Sequence, residues 1–157
     1  MEGDTEYIAS YWTLAGNVEP LGPPEREASS IDLAERLAVA AELGYAGIGL
    51  MHSDIMNARR QYNLPSIRQM LADHGMKYLE LEFLVGWIAD DEELAASEIV
   101  FQDMLEIANE VGVKHLKIGP DMAAKEWPSA RMVDRFAALC DRAAGAGTSI
   151  ALEIMPW

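Results

Sequence analysis

Apolar and polar positions along this chain switch repeatedly between a helical period and a strand-like one. Four stretches carry apolar residues at helical spacing, each ends on a glycine, and each glycine opens a run that reads as a strand. The glycines are Gly44, Gly75, Gly112 and Gly147, spaced 31, 37 and 35 residues apart, within the runs ELGYAGIGLM, DHGMKYLELEF, EVGVKHLKIG and GAGTSIALEIM. A repeat of this length, built from one helix and one strand, predicts successive βα units. Glycine suits the junction because a helix commonly ends on a left-handed residue, which glycine adopts without steric cost.

The pattern predicts strands at about Tyr7–Leu14, Tyr45–Met51, Lys77–Leu84, Val113–Ile118 and Ser149–Ile154. Helices are expected from Ser29 or Ser30 to Leu43 with Asp32 in the first turn, from near Pro65 to just before Gly75, from Asp91 to Val111, and from near Pro128 to Ala144. The Gly/Pro-rich stretch AGNVEPLGPPEREASS reads either as a lid over a strand end or as a mobile connection.

Strands alternating with helices imply a parallel sheet with right-handed crossovers. Two α/β architectures compete: an open doubly wound sheet of five strands, and part of a (β/α)8 barrel. Strands covered by helices on both faces read as continuous apolar runs. The third strand instead sets Leu79, Leu81 and Phe83 against Tyr78, Glu80 and Glu82. The fourth sets Leu116 and Ile118 against His115 and Lys117; the fifth sets Ile150, Leu152 and Ile154 against Ser149, Ala151 and Glu153. Charged groups under a helical layer are costly to bury unpaired, whereas the inward face at the C-terminal mouth of a barrel is polar and wet. The barrel is therefore favoured.

At 157 residues and half apolar, the chain is expected to be one globular domain spanning 1–157. A full barrel needs eight strands and about 250 residues. Five strands and four helices make a partial barrel, read as the N-terminal part of a larger enzyme or as one completed by a second copy. A net charge of −14 argues against a nucleic-acid partner. No apolar run approaches the ~18 residues of a membrane span, and the acidic start MEGDTEYIAS lacks a signal peptide's basic region. The single Cys140 sits in an apolar helical pattern and reads as core. A cytoplasmic location is expected. No G-x-G-x-x-G or P-loop follows the first strand, which disfavours a nucleotide binder.

The helix-glycine-strand units LAERLAVAAELGYAGIGL and LADHGMKYLELE, with the terminal ALEIMP, resemble the sugar phosphate isomerase/epimerase proteins of the xylose-isomerase-like barrel superfamily. The resemblance runs along the whole chain and covers the first five-eighths of the family fold. It implies a divalent metal ion (Mn, Mg, Co or Zn), bound by a glutamate at the end of the fifth strand and by an aspartate, a histidine and a second glutamate from strands six to eight. Glu153 matches the first of these, and the resemblance also makes it an acid/base; the others are expected outside this segment. The activity implied is isomerisation, epimerisation or dehydration of a small sugar or polyol-derived ketone through an enediolate. The competing function is a non-catalytic partial barrel used for binding or assembly, as a homo-oligomer or with the missing C-terminal part.

Further candidates follow from position. His52 lies just past the second strand, as a substrate contact or a loop hydrogen-bonding group. Glu82 lies nearest the mouth on the third strand, with Glu80 deeper and paired with Lys117 or His115. Lys117 reads as a counter-charge for an anionic substrate or as half of an ion pair, also with Glu153. Trp12, Tyr11 and Trp157 are candidates for an apolar wall against a sugar, with core packing the alternative. Arg59 and Arg60 are placed to meet a phosphate or simply to stay solvated.

Overall fold

The computed structural model describes residues 5–154. Trp157 lies outside them. Five strands form one sheet in the order β1 (Ile8–Ala9), β2 (Gly47–Met51), β3 (Tyr78–Leu84), β4 (His115–Ile118) and β5 (Ile150–Leu152), and they run parallel. Two compact units divide the chain, Met1–Glu80 and Leu81–Trp157, with the boundary inside β3.

Seven α-helices are present among the described residues rather than the four expected: α1 (Tyr11–Leu14), α2 (Pro24–Glu27), α3 (Leu33–Glu42), α4 (His52–Ala58), α5 (Leu64–Asp73), α6 (Asp91–Ile107) and α7 (Ser129–Gly145). The additional ones are α1, α2 and α4, all of seven residues or fewer. α1 replaces the second half of the expected first strand: the chain turns at Ser10, and the Ala15 N–H donates to the Tyr11 carbonyl. α2 begins on Pro24, whose fixed φ suits a first helical position. α6 widens at its end into a π-helical turn over Ala108–Gly112. All four repeat glycines take left-handed φ values, between 68° and 88°.

In the first unit, β2 is buried at all five positions. Helix α3 packs on β2 and on α5, presenting Leu33, Arg36, Leu37 and Ala40 as its buried stripe. Its N-cap is Asp32, which accepts from the Ala34 N–H at 2.9 Å, three residues later than the earliest start the sequence suggests. Asn63 caps α5 in the same way through the Ser66 N–H at 2.8 Å. Gly47 is required by its neighbour: a Cβ there would come within 2.4 Å of the Tyr78 carbonyl oxygen.

In the second unit, β4 and β5 pair in the register Leu116↔Ile150, Lys117↔Ala151 and Ile118↔Leu152. Phe101, Met104 and Ile107 of α6 and Leu139 and Ala143 of α7 are buried. The alternation expected of β3 holds only in part. Leu79 and Leu81 are buried, but Glu82 and Leu84 are buried too, and Phe83 is half-buried instead of joining the leucines. Its ring takes the space left by the missing side chain of Gly119, where a Cβ would meet the ring at 2.3 Å.

Candidate functional site

In a parallel α/β sheet, side chains at the carboxyl ends of the strands are the ones available for chemistry. In the first unit the segments that follow β1 and β2 supply them. Trp12 lies in α1 and is 40% exposed, stacked edge-on against Tyr11 at 5.0 Å between ring centroids. Tyr11 thus packs in the core while Trp12 lies at the surface. His52 is the first residue of α4 and half-buried, so it stands at a helix start rather than in a loop.

Beneath these lies a buried polar junction that sequence reasoning missed. The Asp54 carboxylate is 1% exposed and accepts from the Ser29 N–H at 2.9 Å, from Arg36 Nη2 at 2.9 Å and from the Tyr11 hydroxyl at 3.4 Å. The Tyr11 hydroxyl also donates to the Glu27 carbonyl at 2.5 Å. Ser53 Oγ donates to the Glu27 carboxylate at 2.6 Å, and Ser29 Oγ donates to the Ala15 carbonyl at 2.9 Å. Burial, chiefly, and the Asp54 charge push the Tyr11 phenol well above its ordinary range. The Gly/Pro-rich connection, read as a lid or a mobile segment, is thus tied down at residues 27–29. A signal for the junction was present: Arg36 occupies a position of the helical stripe Leu33, Leu37 and Ala40, so it had to be buried and paired.

The second unit holds the other candidates. Glu82 on β3 is 4% exposed, and Lys117 Nζ on β4 lies 3.6 Å from its carboxylate. Lys117 therefore serves as the counter-charge of the buried Glu82. Beyond them, Trp87 Nε1 donates to the Gly119 carbonyl at 2.6 Å, and the same glycine carries the Phe83 ring. In the loop after β4, Trp127 Nε1 donates to Asp121 at 2.6 Å, with Lys125 at 3.9 Å and Arg131 at 4.4 Å from its ring centroid. The Trp127 hydrogen bond is the main cause holding the Asp121 carboxyl below the usual range. Glu153 follows β5, is exposed, and donates its N–H to the Ile118 carbonyl at 2.9 Å. Among the described residues no three His, Cys, Asp or Glu side chains gather as a metal site. Arg59 closes α4, its Nη1 3.6 Å from the Met56 sulfur, and Arg60 is exposed. No helix of the described chain is long and apolar enough to cross a membrane.

The sequence matches the xylose isomerase-like TIM barrel family over residues 37–157, and the chain belongs to that family. Solved structures agree on the fold. A xylose isomerase-like TIM barrel/4-hydroxyphenylpyruvate dioxygenase fusion protein is 17% identical, with a TM-score of 0.76 over 99% of this chain and 22% of that one. The IOLI protein, solved with a zinc atom bound, is 23% identical, with a TM-score of 0.74 over 96% of this chain and 52% of that one. A D-psicose 3-epimerase solved in the presence of D-fructose is 15% identical, with a TM-score of 0.67 over 96% and 53%. The chain thus spans about half the length of the last two. No curated protein matches the sequence.

Proposed function

We propose that this chain is the N-terminal part of an enzyme that isomerises, epimerises or dehydrates a small sugar or polyol-derived ketone. The observation that carries the reading is the pairing of buried Glu82 with half-buried Lys117 near the carboxyl ends of β3 and β4, in a chain of the xylose isomerase-like family. Such enzymes remove a proton from the carbon beside a carbonyl; returning it to the other face gives the epimer, and to the neighbouring carbon the isomer. Glu153 is the base in this reading. Lys117 supplies positive charge for the developing enediolate oxygen, with Glu82 holding it in place. Trp12 and His52 contact the sugar, and its apolar carbon face suits an exposed indole.

Divalent metal dependence belongs to the same proposal, with Glu153 as this chain's ligand and the other ligands on barrel strands beyond the described residues. A hard cation takes several oxygen or nitrogen ligands together, so the described residues alone do not fit one. The test is Glu153→Gln in the protein carrying the complete barrel, titrated with Mn²⁺ and assayed on ketoses. The reading expects manganese affinity to fall roughly tenfold or more and turnover by ~10²-fold or more. Unchanged affinity and turnover remove Glu153 from the site.

A further inference from the structure

Helix α4 carries His52 as its first residue, and no side-chain cap hydrogen bond fixes where it starts. Its N-cap is Met51, which offers no capping side chain, and at seven residues it is too short to hold itself helical in water. Two side chains of its first turn reach outward and anchor it: Ser53 to the Glu27 carboxylate at 2.6 Å, and Asp54 to the Ser29 N–H, Arg36 and the Tyr11 hydroxyl. These partners come from α1, from the 27–29 segment and from α3. A single buried carboxylate thus joins the connection after β1 to the connection after β2. We infer that Asp54 is a positioning residue, which fixes the placement of the His52 imidazole at the carboxyl end of β2. The inference gains its catalytic meaning from the reading of His52 as a substrate contact, but the placement itself is a separate claim.

A residue that merely stabilised the unit would not act selectively on His52, and the sequence offers a control. The chain has three histidines, and His74 lies in the same unit at the end of α5, its Nδ1 2.8 Å from the Met70 carbonyl. The experiment records the imidazole signals and ring nuclear Overhauser contacts of His52 and His74 in the parent chain, in Asp54→Asn and in Tyr11→Phe. Asp54→Asn keeps the shape but removes the charge that holds Arg36. It is expected to broaden or shift the His52 signal and erase its ring contacts, with His74 unchanged. Tyr11→Phe should move His52 the same way by less; if Asp54→Asn does not fold, this variant decides by the same criterion. An unmoved His52, or His52 and His74 altered together, overturns the inference. The reading of His52 as a substrate contact fails separately, when a saturating ketose leaves the parent's His52 signal in place in the complete barrel.

Discussion

Arg36 and Asp54 form a salt bridge of 2.9 Å in which the two side chains are 4% and 1% exposed. Both charges have left water, so each depends on the other. Replacing Arg36 by Met leaves Asp54 buried without its counter-charge. Urea denaturation is expected to show a loss of about 3–5 kcal/mol for Arg36→Met. The double change Arg36→Met with Asp54→Leu should cost clearly less than the sum of the single changes. Additive losses would mean that the two charges do not interact.

Tyr11 ties this pair to alkaline stability. Its folded phenol titrates above the unfolded value of about 10, because burial and the Asp54 carboxylate disfavour the phenolate. The stability it contributes is full below that pH and is lost as the pH rises, since the unfolded chain then releases the proton first. Chemical denaturation at pH 7 and pH 11 should show a smaller alkaline loss for Tyr11→Phe than for the parent. Equal slopes would contradict the assignment.

Two glycines separate conformational strain from steric exclusion. Gly44 has φ of 78° and a methyl group on its Cα would meet nothing within 4 Å, so Gly44→Ala should cost only the left-handed strain, about 1–2 kcal/mol. Gly47→Ala would drive a methyl group to 2.4 Å from the Tyr78 carbonyl oxygen. A backbone atom cannot step aside as a side chain can, and the loss should reach about 3 kcal/mol or more. Thermal melts of both variants compare them; a Gly44→Ala loss as large as that of Gly47→Ala would refute the packing described for β2 and β3.

In the loop after β4, Trp127→Phe removes the donor that lowers the Asp121 carboxyl. Carbon-detected carboxyl titration should show the Asp121 midpoint rising toward the ordinary range in this variant. The small contribution to stability, present above the unfolded value and lost as pH falls through the depressed one, goes with it. An unchanged midpoint would rule out the tryptophan as its cause.

Much of the fold was legible because it rests on local rules. The four glycines mark helix ends in the structure, all with the left-handed φ that their positions demanded. The alternation of His115, Leu116, Lys117 and Ile118 survives in β4. The failures occurred where tertiary contacts decide. α1, α2 and α4 are too short to produce a period in the sequence, and they form because the polar junction around Asp54 and the turn at Pro24 hold them. The β3 pattern broke at Glu82 and Phe83, where Lys117 supplies a counter-charge to the buried carboxylate and Gly119 makes room for the ring. Of the candidate site, the sequence singled out Glu82 and Lys117 but not their pairing. It placed His52 beside Asp54 without revealing that Asp54 is buried at the junction of three segments.

The reading as a sugar isomerase or epimerase rests finally on carbon–hydrogen bond cleavage. Proton NMR of a ketose in D₂O, incubated with Mn²⁺ and the protein carrying the complete barrel, reads this event whatever the product. Exchange of a proton beside the carbonyl is expected with the parent and should be abolished in both Glu153→Gln and Lys117→Met. Retention of every such proton across a panel of ketoses, with the parent folded and the metal present, would contradict the assignment.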